Sequence, residues 1–328
     1  MKHHLLRCFI LAIACPLHAV VISGPNGAAS GNTTEASLNS YTTAQSLPVF
    51  PHWNNAVSVN GASGVYLGTA NGYGWVITAA HVGALSIGSG TINVGGTNYV
   101  VHSGQTIGNA DLRLYRIGGE LGDPSLPAIP NVIMATTSPS IGTNLLDFGV
   151  GSRVETTANS ATNSDAGQAP GSNATYFEWG SASLMRWGTN TTIPLPAEYG
   201  GAGEANATFI AAGYTTNLIY SAFDDPGSPN YLTTTEAHLA TGDSGGGVFA
   251  LNGGNWELVG WNAYVDIDAV NQTNGQPGST SGFGNYAFYG NLAEVKTLLQ
   301  AAMVPEPSGW MLCGITGMFL LRRRRVRQ

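Results

Sequence analysis

From residue 57 onward the chain is a succession of short β-prone runs separated by turns rich in Gly and Asn. That punctuation leaves no room for a helical bundle. The runs fall at 57–59, 64–67, 74–78, 91–94, 98–101 and 111–117, then at 144–150, 208–212, 218–220, 246–251, 256–265 and 285–288. Runs of this length bounded by turn residues predict strands. Gly95-Gly96, between two of them, predicts a hairpin. The body contains no cysteine: Cys8 and Cys15 lie in an N-terminal apolar segment and Cys313 in a C-terminal one. No disulfide framework and no thiolate metal site braces the strands, so packing must. Many short strands held that way predict an all-β barrel or sandwich. Only 9 % of the residues are charged, but 43 % are hydrophobic, which predicts an ordered core and excludes a disordered chain.

The two ends read differently from the body. Lys2 and Arg7 precede a short apolar run, the pattern of an export signal over residues 1–19. Ala12-Ile13-Ala14 and Ala19 are competing cleavage points. Residues 23–47 are rich in Gly, Ser, Asn and Thr and read as a leader segment or irregular edge, within a leader of 20–49. Residues 155–175 read as a surface loop or insertion. Residues 291–303 carry the one good helix pattern: Asn291 as cap, Glu294 three residues on, and Leu292, Val295, Leu298 and Leu299 on one face. The tail runs from Pro305-Glu306-Pro307 through an apolar stretch at 309–321 to five arginines. Those three parts, in that order, resemble the PEP-CTERM sorting signal over 303–328. The resemblance implies membrane contact through 309–321 before processing, and an exosortase-type processing enzyme as partner. Five of the twelve Lys and Arg lie in the body against eighteen of the nineteen acids, so the body carries about −13. Such a surface does not suit the phosphates of a nucleic acid.

The most reactive-looking stretch is Thr241-Gly242-Asp243-Ser244-Gly245-Gly246-Gly247. Glycines let backbone N–H groups come close to a reacting carbonyl, and two such groups can hold an oxyanion. A serine nucleophile needs a base within hydrogen-bond reach, and the base needs an orienting partner. The body offers His52, His81, His102 and His238. His81 ends the run Trp75-Val76-Ile77-Thr78-Ala79-Ala80-His81, where small residues leave its ring uncrowded.

With these residues in view, the chain resembles the chymotrypsin-like serine proteases over about residues 50–302. Thr78-Ala79-Ala80-His81 matches the histidine motif, Asp111-Leu112-Arg113-Leu114-Tyr115-Arg116-Ile117 resembles the aspartate motif, and Gly242-Asp243-Ser244-Gly245-Gly246 matches the serine motif, in the family's order. The resemblance implies two six-stranded antiparallel β-barrels (about 50–140 and 141–290) and a final helix at 291–302. It also implies a secreted or surface-targeted serine endopeptidase, working on protein or peptide substrates without a cofactor or metal. By that pattern His81 is the base, Asp111 its orienter and Ser244 the nucleophile, with the Gly242 and Ser244 N–H groups as the oxyanion hole. Asp123 and Asp147 are the rivals to Asp111. A catalytically inactive binding module on the same fold is the other reading.

The departures are informative. His81 lies 30 positions before Asp111, a short interval for the family, and Asp111 lies 133 before Ser244, a long one. In the family a freed amine pairs with the acid before the serine; no Ile-Val-Gly-Gly start is visible here, so that amine has no evident source. The family pattern puts the base of the primary pocket at His238 and its wall at Ala263, Tyr264 and Val265. Without an acid at the base, cleavage after Lys or Arg is not expected. Asp266, Asp268 and Asn271 read as a solvated turn rather than a Ca²⁺ loop. Tyr176, Phe177, Trp179 and Trp187 read as core and edge packing.

Overall fold

The computed structural model describes residues 20–22, 32–150, 160–163, 172–179, 185–196, 203–224, 231, 235–265 and 280–304. The export-signal pattern at 1–19, the tail beyond 304, most of 155–175 and the turn at Asp266, Asp268 and Asn271 lie outside them.

Six strands build the first barrel: β1 (Ala56–Val59), β2 (Ala62–Ala70), β3 (Tyr73–Thr78), β4 (Thr91–Val94), β5 (Thr97–Thr106) and β6 (Arg113–Ile117). They hydrogen-bond in the order β1-β2-β3-β6-β5-β4, all antiparallel. The terminal strands β1 and β4 lie side by side, which curls the sheet round on itself. Strand side chains alternate between faces. Val57 and Val59, Ile92 and Val94, Tyr99 and Val101, Tyr115 and Ile117 therefore all point to one shared core. Gly95 and Gly96, at φ 58° and 85°, turn the predicted hairpin between β4 and β5.

The second barrel is β7 (Asn144–Gly149), β8 (Arg186–Thr191), β9 (Tyr214–Ala222), β10 (Gly247–Asn252), β11 (Asn255–Val265) and β12 (Tyr286–Asn291). Its order is β8-β7-β10-β11-β12-β9, and an antiparallel bridge between Ile193, just past β8, and Tyr220 on β9 closes the circuit. Two further strands raise this sheet to eight. Ala207–Ala211 pairs with β9, and Ile133–Met134 pairs in parallel with β11. Leu145, Ile219, Val248, Val259, Ala287 and Tyr289 fill its interior. A third and larger apolar cluster joins the barrels: Val65, Ile77 and Leu114 from the first meet Leu146, Phe148, Phe249, Leu258 and Trp261 from the second. Phe50 stands within it, 4.8 Å from Phe148 and 5.0 Å from Phe249 between ring centroids.

The helices depart in part from expectation. Residues 23–47 are not an irregular edge throughout: α1 spans Glu35–Ala44, and Thr34 Oγ1 accepts the Ser37 N–H at 3.1 Å as its cap. It buries Leu38 and Thr42. Tyr41 packs on Trp187, whose indole N–H donates to Ser37 Oγ. α2 spans Leu292–Ala302. Asn291 precedes it but makes no side-chain cap; its amide donates to Ser138 Oγ instead. Leu292 and Leu299 are buried, whereas Leu298 faces solvent. The expected insertion at 155–175 carries a hairpin of Ser160–Asn163 with Ser172–Glu178. Phe177 and Trp187 are buried, in line with packing roles. Among the described residues no helix is long and apolar enough to cross a membrane.

Candidate active site

β3 ends at Thr78, and the chain then makes a single short turn over Ala80–Val82. Ala79 and Ala80 are buried there. The turn swings His81 into the gap. On the same side, the segment entering β6 presents Asp111, fully buried. Asp111 Oδ2 lies 2.6 Å from His81 Nδ1, and Asp111 Oδ1 accepts the His81 backbone N–H at 2.8 Å. The carboxylate thus grips one histidine at two points, fixing both its backbone and its ring. An oxygen acceptor at Nδ1 requires the proton on Nδ1, which leaves Nε2 with a lone pair. That Nε2 lies 2.8 Å from Ser244 Oγ.

Ser244 comes from the second barrel, on the loop leading into β10. Gly245 holds φ 87°, and a Cβ there would meet Ser63 O at 2.5 Å and Ala79 N at 2.6 Å. Only glycine lets the nucleophile loop lie that close to the first barrel. The loop is tied down from both sides. The Ser63 N–H donates to Ser244 O at 3.1 Å, and Ser63 Oγ donates to Gly242 O at 3.0 Å. The Gly245 N–H donates to Asn262 O, and the Gly246 N–H to Asp243 O. Among the described residues the N–H groups of Gly242 and Ser244 take no protein partner. These are the two donors the resemblance assigns to an oxyanion.

Three supports were not legible in the sequence. Thr216 Oγ1 accepts the Asp111 N–H at 2.9 Å, the Trp261 indole donates to Asp111 O at 2.8 Å, and Ser63 clamps the loop. The rival acids lie elsewhere. Asp123 pairs with His102 at 2.8 Å on the first barrel. Asp147 is buried in the second barrel, where among the described residues neither carboxylate oxygen makes a hydrogen bond of good geometry. Burial pushes its pKa up to about 7; the nearby Asn262 side chain and Phe148 N–H oppose this weakly. His52 is buried against Phe249, and burial lowers its pKa.

Of the pocket candidates, Tyr264 stacks on the His81 ring with centroids 5.8 Å apart, and Ala263 is buried beside it on β11 with Val265. His238 is fully buried. Its Nδ1 lies 3.1 Å from Ser281 Oγ, which donates to Leu239 O and accepts the Trp179 indole N–H. With its hydroxyl proton committed, Ser281 can only accept from His238. The proton is then placed on Nδ1, and among the described residues Nε2 makes no hydrogen bond of good geometry, while the backbone of Tyr286 and Leu239 acts on the ring. Burial lowers the His238 pKa to about 4, so the ring is neutral. Its backbone pairs with Val21.

The architecture defined by these two barrels and the closing helix is chymotrypsin-like. No protein-family model matches the chain, and no curated protein matches it. Among solved structures it is similar to neuropsin, described as a serine protease expressed in the limbic system of mouse brain. The two are 16 % identical with a TM-score of 0.44, over 78 % of this chain and 97 % of that one. Any statement about activity therefore rests on this chain's own site.

Proposed function

We propose that the protein is a serine-type endopeptidase. The observation that carries this reading is the unbroken path from Ser244 Oγ through both ring nitrogens of His81 to Asp111, at 2.8 and 2.6 Å, beside two backbone donors with no partner among the described residues. His81 Nε2 takes the Ser244 proton as Oγ attacks the carbonyl carbon of a peptide. The carbonyl oxygen becomes an oxyanion held by the Gly242 and Ser244 N–H groups. The imidazolium then gives its proton to the leaving amine, and the C–N bond breaks to leave an acyl ester on Ser244. Water, deprotonated by His81, attacks the ester and releases the new carboxylate. Asp111 stabilises the charged ring and holds its orientation throughout. No acid stands at the pocket position His238, and the ring there is neutral, so cleavage after Lys or Arg is not part of the reading.

The protease domain of this proposal is 50–302, between an export signal at 1–19 and a sorting tail at 303–328. On that reading the protein leaves the cytoplasm and contacts an exosortase-type enzyme through its tail. The central test is covalent labelling. A fluorophosphonate should modify the exported protein at Ser244, and Ser244→Ala should abolish the adduct. His81→Ala should lower turnover by about 10⁴-fold or more, since members of such a unit fail together. A folded wild type that takes no label would overturn the reading and leave an inactive binding module.

A further inference from the structure

Asn262, on β11, is tied to the nucleophile loop through its main chain. The Gly245 N–H donates to Asn262 O at 2.8 Å, and the Asn262 N–H donates to Gly246 O at 2.9 Å. Gly245 follows Ser244 directly, so the seat of Asn262 sets the seat of the nucleophile. Regular strand pairing does not hold β11 past this point, because the β11–β12 register shifts between Asn262 and Tyr264. The Asn262 side chain reaches to β7 instead: Nδ2 donates to Phe148 O at 3.0 Å. A Cβ on Gly246 would run into that same Phe148 O and, at 2.8 Å, into Asn262 Nδ2. Loop, strand and amide are packed against one another.

Asp147 precedes Phe148 on β7 and lies opposite Val248 on β10 and Gly188 on β8. Its carboxyl is fully buried beside the Asn262 side chain. Asp147 Oδ1, Asp147 Oδ2 and Asn262 Oδ1 are all buried, and among the described residues none of the three makes a hydrogen bond of good geometry. Turning the Asn262 amide over would not help, since Nδ2 is committed to Phe148 O. Three acceptors without a donor are costly in a dry interior. A single proton on Asp147 turns one of them into a donor. The neighbours favour that proton. Tyr289 on β12 lies opposite Asn262, and its hydroxyl is engaged with Ser221 Oγ of β9 at 2.9 Å. Asp243 and Glu236 are buried acids that act on the same Tyr289. Arg186, the basic group of β8, stands opposite Gly149 rather than Asp147. Among the described residues Asp147 forms no ion pair.

We infer that Asp147 positions the nucleophile: its neutral carboxyl donates a hydrogen bond to Asn262 Oδ1 and thereby fixes the residue from which the Ser244 loop hangs. Asp147 touches neither substrate nor His81, so it is a positioning residue and not a catalytic one. Ionisation removes the donor and sets two oxygens against each other. Asn262 then gives way, and Gly245, Gly246 and Ser244 move with it. The loop is aimed well on the acid side of the Asp147 titration and poorly on the alkaline side.

The inference rests on the peptidase reading, and its test separates the two. The full chain is exported from a Gram-negative host as wild type, Asp147→Asn and Asp147→Leu, each checked for a cooperative melt. Asparagine keeps a donor and an acceptor without a titrating proton, whereas leucine keeps the bulk and offers neither. Peptide kcat and KM are measured against pH, with fluorophosphonate labelling of Ser244. The ratio of wild-type to Asp147→Asn kcat cancels the titration of His81, which both share. It should be near one below pH about 7 and fall above it. The fall should be about 10-fold or more, the scale of a displaced reacting group. Asp147→Leu should lose as much at every pH, with KM little changed. The infrared difference between wild type and Asp147→Asn should show the carbonyl stretch of a protonated carboxyl below pH about 7 and lose it above. A ratio that stays flat with pH, or a missing infrared band, would each overturn the inference, and both can be read where Asp147→Leu fails to fold. A folded Asp147→Leu with wild-type kcat would overturn it as well. Failure of the peptidase reading looks different: no form is labelled at Ser244. Asp147 then has no nucleophile to aim, and the positioning role falls even where the infrared band is present.

Discussion

Asp111 is held through its carboxylate, its N–H and its carbonyl alike. Its carboxylate takes the His81 ring and backbone, its N–H goes to Thr216 Oγ1, and its carbonyl takes the Trp261 indole. Asp111→Asn should keep the shape but offer a donor where His81 Nδ1–H needs an acceptor. We expect turnover to fall by about 10⁴-fold, the effect of stabilising the wrong tautomer. A melting curve near wild type would show that the loss is chemical. His81, Asp111 and Ser244 were legible because each sits in a short local pattern. Thr216, Trp261 and Ser63 were not: they reach their partners across 105, 150 and 179 positions. Nothing in a threonine on an ordinary strand announces that its hydroxyl will meet a distant backbone N–H.

At the scale of elements, strands were the most legible feature. Alternation and turn residues are written locally, and the runs at 74–78 and 91–94 match β3 and β4 to within a residue. α1 was not legible. Its sequence, Glu35 to Ala44, has no continuous apolar stripe, and it buries only Leu38 and Thr42. It forms because Trp187, on a distant strand, gives Tyr41 and Ser37 a surface and a donor; short helices take most of their stability from such packing. α2 allows a direct comparison between adjacent leucines. Leu299 is fully buried and Leu298 is 54 % exposed. Leu299→Ala should cost about 2–5 kcal/mol in chemical unfolding, whereas Leu298→Ala should change stability by about 0.5 kcal/mol or less. Equal losses would contradict the placement of the helix.

At the scale of the whole molecule, two buried titrating groups pull stability in opposite directions over one pH range. His238 has a folded pKa of about 4 against 6.5 unfolded, so the unfolded chain binds the extra proton between those values. Its share of stability is present above pH 6.5 and is lost as pH falls toward 4. Asp147 has a folded pKa of about 7 against 3.8 unfolded, so here the folded state binds the extra proton. Its share is present at low pH and is lost as pH rises from about 4 to about 7. Each is worth at most about 3–4 kcal/mol by the energy of a pKa unit. Melting temperatures of the wild type should therefore vary little across this window. Asp147→Asn should unmask a loss toward acid, and His238→Gln a loss toward neutral pH; parallel profiles for all three would refute the assignment. The sequence by itself determined the strand pattern, the reactive motifs and their order along the chain, because propensity, alternation and turn chemistry act over a few neighbours. Only the tertiary structure decided what holds Asp111 from behind, and that Val20 to Ile22 lie buried, with Val21 and Ile22 paired to His238 and Ala237. Those depend on which surfaces two closed barrels bring together, and local sequence does not encode contacts made across a hundred residues or more.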